Sequence, residues 1–145
     1  MPDTPAGNGA NLIINCDGGS RGNPGPAGFG YVIHTSDGRP VEARGEFLGE
    51  TTNNVAEYKG IIAAARRVAE LGARSATFRV DSELLQRQVT GRYRVKAAHL
   101  KPLFAELMAA LGRIDRWRVE HVRRENNELA DELANQAMDV RGVVT

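Results

Sequence analysis

The chain has little of several features, and each shortage excludes a class of protein. It has a single cysteine, Cys16, so no disulfide forms within the chain, and a reducing compartment such as the cytoplasm is expected. No apolar run approaches the roughly 20 residues that span a bilayer, so no membrane association is expected. The formal net charge is only +1, so any nucleic-acid surface must come from local clustering of basic residues.

The composition is typical of one soluble globular domain. With 145 residues, 41% of them hydrophobic and 26% charged, the chain is long enough to bury a core. Residues 1–10 are rich in Pro, Gly and Asn and lack a basic, apolar leader pattern, so a disordered N-terminal tail is expected there. The domain is expected over residues 11–140, followed by a short C-terminal tail over 141–145.

Apolar periodicity predicts an α/β fold with the element order βββαβααβα. Three hairpin-linked strands, then strands alternating with helices, indicate a five-stranded mixed sheet flanked by helices. The segment 18–28 is predicted as a turn because it carries five glycines and two prolines. Asn53 or Asn54 is expected to cap the first helix, and Asn127 the last. The predicted strands cover residues 11–17, 29–35, 40–49, 75–80 and 115–122.

Four acidic residues lie where the chain enters the predicted core. Asp17 and Asp81 end apolar strands, whereas Glu57 and Asp131 lie in helices beside apolar residues. Taken singly, each has an ordinary explanation, such as a capping or turn Asp, a solvated Glu or an acid at the edge of an amphipathic helix. Taken together they indicate a metal site, because uncompensated buried carboxylates are costly and bound cations keep several of them ionised.

The surroundings of these four acids resemble the type 1 ribonuclease H family. The matching segments occur in order and at the family's spacing, and the resemblance runs in register from about residue 11 to residue 138. It implies the family's fold, a five-stranded mixed sheet flanked by helices, which agrees with the order obtained from periodicity. The matching segments are 17–25 (DGGSRGNPG), 51–58 (TTNNVAEY), 80–82 (VDS) and 127–131 (NELAD).

The resemblance also implies an activity, the hydrolysis of the RNA strand of RNA–DNA hybrids to leave 5′-phosphate and 3′-hydroxyl ends. It implies two Mg²⁺ ions as cofactors, with Mn²⁺ as a substitute, and a set of carboxylates without Cys or His suits such hard ions. The implied catalytic metal ligands are Asp17, Glu57, Asp81 and Asp131. The implied contacts to the hybrid are Gly18, Asn23, Asn53 and Asn54.

The loop before Asp131 departs from the best-known form of the family, which has a histidine on a flexible loop. His121 falls ten residues before Asp131, but it lies in the last predicted strand, where a packed or rim histidine is the alternative. The shortened loop is similar to the archaeal-like branch, in which an Arg stands in this loop. Arg124 is therefore favoured over His121 as the auxiliary catalytic group, acting on phosphate or product release because Arg cannot serve as a base.

A second departure is the absence of the long basic protrusion that many relatives carry. The corresponding stretch, residues 84–105, is compact and contains no acidic residue. A solvated charge run is the plain explanation. A phosphate-backbone footprint is favoured, because the chain as a whole is nearly neutral. The basic residues expected to hold the substrate are Arg92, Arg94 and Lys96.

Other functions stay open on the sequence alone. The main alternative is an inactive hybrid-binding module of the same fold, against which the presence of all four acids argues. A nucleotide-binding domain is disfavoured because segment 18–28 has neither of the common phosphate-binding patterns. A DNA-directed nuclease of the same fold is separated from the favoured activity only by substrate tests. The protein is expected to be a monomer.

Overall fold

The computed structural model describes residues 10–145. The predicted N-terminal tail therefore lies outside the described residues, apart from Ala10. The Ala10 carbonyl accepts backbone hydrogen bonds from Arg74 at 2.9 Å and from Ser75 at 3.4 Å. The described residues form a mixed sheet flanked by helices, so the predicted α/β class is confirmed.

The strands of the sheet combine an antiparallel meander with two parallel neighbours. They are β1 (Asn11–Ser20), β2 (Gly25–Thr35), β3 (Pro40–Thr51), β4 (Ser75–Val80), β5 (Arg116–His121) and β6 (Val143–Val144). Their spatial order is β5-β4-β1-β2-β3-β6. The pairs β1–β2 and β2–β3 are antiparallel, whereas β1–β4 and β4–β5 are parallel. Parallel neighbours need crossover connections, which the helices supply here.

The helices cover both faces of the sheet. They are α1 (Asn53–Glu70), α2 (Glu83–Val89), α3 (Lys101–Leu111) and α4 (Glu128–Val140). Helix α1 packs on β1 and β2 and against α3, and the main core lies beneath this pair. Helix α4 packs on the opposite face, over β2 and β3. Among residues 10–145, no helix has the length and apolar character needed to cross a bilayer.

The glycine-rich segment 18–28 is mostly strand, which corrects the prediction of a turn. Strand β1 continues to Ser20 and β2 begins at Gly25, so only four residues make the turn. Gly22 adopts the positive φ of +95° that favours glycine there. The glycine at position 28 serves the sheet instead, because a Cβ there would lie 3.0 Å from the side chain of Met138 in α4.

The sheet has six strands where five were predicted. Val143 and Val144 pair with Glu46 and Gly45 of β3, and the Phe47 N–H donates to the Gly142 carbonyl at 2.9 Å. This short strand lies within residues 141–145, the segment predicted as a tail. A two-residue strand carries too little alternation to be recognised in a sequence.

The side chains predicted to cap α1 and α4 make no capping hydrogen bond to these helices. Thr52 caps α1, since its Oγ1 accepts a hydrogen bond from the Val55 N–H at 3.3 Å. Asn53 and Asn54 are the first residues of that helix, which leaves their amides for other contacts. Asn127 occupies the predicted N-cap position of α4, but its side chain makes no capping hydrogen bond.

The close approach of α4 to β2 gives a prediction about Gly30. A Cβ at Gly30 would overlap the Ala130 carbonyl and lie 2.9 Å from the Ala134 nitrogen. We expect Gly30→Ala to lower the free energy of unfolding by about 1–3 kcal/mol, because backbone must move to admit the methyl group. The control is Gly142→Ala, because a Cβ at Gly142 would lie 3.9 Å from its nearest neighbouring atom. This control should change the free energy of unfolding by less than about 0.5 kcal/mol. Urea denaturation measures both, and equal effects would contradict the packing argument.

Candidate active site

Two of the four predicted acids leave the sheet side by side. The parallel register of β1 with β4 ends at the pair Cys16–Val80. The residues that follow this pair in the sequence are Asp17 after Cys16 and Asp81 after Val80. Because parallel strands present their carboxyl ends at one edge, these two carboxylates emerge together. Asp17 lies opposite Gly30 in the antiparallel register with β2, so its side chain points to the face that carries α4.

The other two acids arrive on helices that approach the sheet closely. A Cβ at Gly18 would lie 2.7 Å from the backbone nitrogen of Glu57, so α1 rests almost directly on β1. Asp131 lies in the first turn of α4, whose backbone rests on Gly30 in the same way. The four acids therefore come from four different elements and from both faces of the sheet.

An open cleft of about 410 Å³ brings the predicted site residues together. It is lined by all four acids and by four more of the predicted residues, Gly18, Asn53, Asn54 and Arg124. The rim of the cleft also holds residues that were not predicted as site residues. Three of them come from the end of β1 and the turn after it, within the matching segment 17–25, which could have marked them: Gly19, Ser20 and Arg21. The other three come from α4 and carry no sequence signal, because only the packing of that helix turns them toward the cleft: Ala134, Asn135 and Met138.

Burial, with crowding of negative charge added to it, dominates the electrostatics of the cleft. Burial raises the pKa of Asp17 to about 9, and the charge of Asp81 and a hydrogen bond with Asp131 add to the rise. Burial also raises the pKa of Glu57 to about 7, again with help from Asp81, against a hydrogen bond from Ser82 and the positive charge of Arg124. Both shifts mean that the folded protein disfavours the charged carboxylates unless a cation compensates them.

The cleft fits a hard divalent cation in the chemistry of its donors. All four acids offer oxygen ligands, and none of the three histidines lines the cleft. Across residues 10–145, no three His, Cys, Asp or Glu side chains lie close enough together to hold a metal ion by themselves, so the four acids share the cleft without enclosing an ion. Mg²⁺ commonly takes one or two carboxylates and completes its shell with waters and substrate phosphates, so an open arrangement of carboxylates suits it.

The predicted asparagines form a hydrogen-bonded rim on one side of the cleft. The Asn53 Oδ1 accepts from the Ser20 N–H at 2.7 Å and from the Ser20 hydroxyl at 3.1 Å. Asn23 does not line the cleft, but its Oδ1 accepts from the Asn53 N–H at 3.0 Å. These bonds join the β1–β2 turn to the start of α1. They hold the Asn53 amide in a fixed position beside the acids.

The two candidates for the auxiliary group lie in different places. Arg124 begins a 3₁₀ turn (Arg124–Asn126), lines the cleft, and places its Nε 3.8 Å from an oxygen of Asp81. Its side chain is 85% exposed, so it is free to meet a ligand at the mouth of the cleft. His121 ends β5 in register with Val80 and does not line the cleft.

The predicted basic residues lie outside the acidic cleft, in a neighbouring groove of about 550 Å³. Arg92, Arg94 and Lys96 line this groove together with the half-exposed ring of Tyr93. Asn54 lines both the cleft and the groove, so the two form one continuous surface. Arg87 is occupied elsewhere, since it pairs with Glu83 and lies over the Tyr93 ring.

Comparison with known proteins identifies the family. A family model described as "Reverse transcriptase-like" matches residues 15–137. The ribonuclease HI of Halobacterium salinarum is 42% identical over 123 residues, which make up 85% of this chain and 62% of that protein. The chain belongs to the type 1 ribonuclease H family. The bifunctional protein Rv2228c of Mycobacterium tuberculosis is 45% identical over 129 residues, 88% of this chain but 35% of its own length.

Solved structures of ribonuclease H proteins share the fold over nearly the whole described chain. The Halobacterium salinarum RNase H1 superposes with a TM-score of 0.87 at 39% identity, covering 90% of this chain and 98% of that one. LC11-RNase H1, in complex with an RNA/DNA hybrid, gives 0.86 at 41% identity with the same coverage. The chain is thus homologous to ribonuclease HI enzymes over most of its length, and the family implies use of a divalent metal.

The raised pKa of Asp17 predicts how stability depends on pH without metal. The folded protein holds a proton on this carboxyl up to about pH 9, whereas the unfolded chain releases it near its ordinary value of 3.8. The free energy of unfolding should therefore fall as the pH rises from about 5 to 9, by about 1.4 kcal/mol per unit of pKa difference at most. Thermal denaturation with a chelator measures this fall.

The matched variants for the pH experiment differ in a single carboxyl. Asp17→Asn should remove most of the fall, because the amide does not titrate. Asp115→Asn, at an exposed acid outside the cleft, should keep it. A Tm of the metal-free protein that stays flat between pH 5 and 9 would show that the Asp17 carboxyl is not crowded in this way.

Proposed function

We propose that this protein is an endoribonuclease that hydrolyses the RNA strand of RNA–DNA hybrids, leaving 5′-phosphate and 3′-hydroxyl ends. The observation that carries the proposal is the convergence of Asp17, Glu57, Asp81 and Asp131 on one open cleft, in a chain of this family. The RNA/DNA hybrid bound by LC11-RNase H1 supports the same class of substrate here. The full set of acids argues against a module that only binds hybrids.

The four carboxylates are the proposed holders of two Mg²⁺ ions, which Mn²⁺ can replace. Ions held there would supply activation of a water and stabilisation of charge on the leaving 3′ oxygen of the phosphodiester. The raised pKa values of Asp17 and Glu57 support this assignment, since both carboxylates need a positive partner to stay ionised at neutral pH. Arg124 is the proposed auxiliary group, placed to meet a phosphate at the mouth of the cleft.

The amide rim gives the cleft a means of choosing RNA. Recognition of RNA over DNA requires contact with the 2′-hydroxyl, which donates and accepts hydrogen bonds. Asn53 and Asn54 present amides beside the acids. A hydrogen bond accepted from Ser20 and another donated to Asn23 hold Asn53 in place. Gly18 also lines the cleft, beside the four acids. These residues are the proposed contacts to the RNA strand.

The basic groove is the proposed site for the second strand of the hybrid. It adjoins the acidic cleft at Asn54 and offers three cations to phosphates. Cationic side chains gain affinity from phosphate contact because counterions are released, and this gain falls as salt rises. The partner strand would thus be held electrostatically while the RNA strand lies over the acids.

The acids are tested by neutral, nearly isosteric replacements. Asp17→Asn or Asp81→Asn should reduce cleavage of a labelled hybrid by several orders of magnitude, because each removes a ligand from the metal site. Circular dichroism should show an intact fold, and removal of one like charge should not lower the Tm of the metal-free protein. Asp115→Asn, exposed and outside the cleft, is the control. Near-normal cleavage by either cleft variant would refute the assignment.

The basic groove is tested by removing its three cations together. Replacing Arg92, Arg94 and Lys96 with Ala should raise KM and flatten its dependence on salt, while kcat changes much less. The control variant also loses three positive charges, with Arg74, Arg113 and Arg116 replaced by Ala. These residues are exposed and lie near the first residues of β4 and β5, at the end of the sheet away from the cleft. If both triple variants shift KM alike, the groove has no special role.

The auxiliary group is tested by comparing Arg124→Ala with His121→Ala. Arg124→Ala should slow turnover more, since it lines the cleft and His121 does not. The loss should be far smaller than for Asp17→Asn, because the ions carry most of the charge stabilisation. A larger loss of turnover in His121→Ala than in Arg124→Ala would favour the histidine instead.

A further inference from the structure

Asn127 is a buried amide that joins α4 to the sheet. It is 2% exposed, and its Nδ2 donates to the Cys16 carbonyl at 2.7 Å. Its Oδ1 accepts a hydrogen bond from the Asn15 Nδ2 at 3.0 Å. The Asn15 Nδ2 also donates to the Asn126 carbonyl at 3.2 Å. An Asn at an N-cap normally bonds to its own helix, but here the side chain is turned entirely toward β1.

The place where this amide meets β1 is the point where the active site opens. Cys16 is the last residue of β1 that pairs with β4, where its partner is Val80. Each of these two residues is followed by an acid of the site, Asp17 after Cys16 and Asp81 after Val80. The Asn127 Nδ2 bonds to the carbonyl at this divergence. It therefore holds the start of α4 against β1 one residue before Asp17.

The backbone of Asn127 extends the same link to two other members of the site. Its carbonyl accepts from the Asp131 N–H at 3.1 Å, and its N–H donates to the Arg124 carbonyl at 2.9 Å. One residue thus contacts the strand that carries Asp17, the helical turn that carries Asp131 and the 3₁₀ turn that carries Arg124. None of these contacts uses a carboxylate, so Asn127 stands behind the acids and not among them.

We propose that Asn127 is a positioning residue that sets the spacing of Asp17 and Asp131 for metal binding. This inference rests on the proposed function of the cleft. Residues that orient metal ligands from behind typically contribute 10–100-fold to metal affinity. A buried amide with a purely structural role would affect stability alone, so metal affinity distinguishes the two roles.

The test measures Mg²⁺ binding to the metal-free protein by NMR titration, followed through the amide signal of Gly18. Asn127→Ala should weaken Mg²⁺ binding by about 10-fold or more. It should lower kcat on a labelled hybrid in parallel, while KM for the hybrid changes less than about twofold because the phosphate contacts remain. The Tm should also fall, by about 5 °C, since the Cys16 carbonyl loses its partner.

A control of matched chemistry is available at the far end of β2. Thr35 is 7% exposed, and its Oγ1 accepts from the Arg39 N–H at 2.9 Å and bonds to Asp37. Thr35→Val removes these bonds without changing the shape of the side chain. It should lower the Tm to a similar extent and leave the Mg²⁺ dissociation constant within twofold of the wild type.

Two results would overturn the role of Asn127. One is an Asn127→Ala protein that binds Mg²⁺ as tightly as the wild type, and the other is an equal loss of affinity in Thr35→Val. If Asn127→Ala does not fold, Asn15→Ala takes its place in the test, because it removes the hydrogen bond to the Asn127 Oδ1. We then expect the Mg²⁺ affinity to fall by about threefold or more. An unchanged Mg²⁺ affinity would contradict the proposal. A wild-type protein that neither binds Mg²⁺ nor cleaves the hybrid would instead refute the proposed function, and this inference with it.

Discussion

The close approach of two helix backbones to the sheet is the constraint on which the rest of the structure depends. Gly18 lets α1 rest on β1, and Gly30 lets α4 rest on β2 from the opposite face. Any side chain at these positions would hold the helices away by the width of a methyl group or more. Glu57 and Asp131 reach Asp17 and Asp81 only because no side chain stands between either helix and the sheet at these two glycines.

This convergence places negative charge where the folded protein tolerates it poorly. The pKa of Asp17 rises to about 9 because its carboxyl is buried beside other acids. The site therefore opposes the stability of the metal-free fold at neutral pH, and a bound cation relieves the repulsion. The hydrogen bonds of Asn127 and Asn53 lie behind and beside the acids, where they hold the geometry without adding charge.

Much of the fold could be predicted from the sequence because local patterns determine it. The first three strands form the predicted antiparallel meander, and β4 matches its predicted bounds. Apart from the cap of α1, which was placed one or two residues too late, the errors have one physical origin. The extended strands around Gly28, the sixth strand and the inward-turned side chain of Asn127 all depend on packing between distant segments, which leaves no local periodicity. The four acids were found through their motifs, whereas the rim residues of α4 required the fold.

The central claim is that the four acids form one metal-dependent site for hydrolysis of RNA in hybrids. A single gel assay tests it most directly, with labelled RNA–DNA hybrid, duplex RNA and duplex DNA of the same sequence, each with Mg²⁺ and with chelator. We expect cleavage of the RNA strand of the hybrid in the presence of Mg²⁺, none with chelator and none of duplex DNA. Hybrid left intact with Mg²⁺, or cut equally well with chelator, would contradict it.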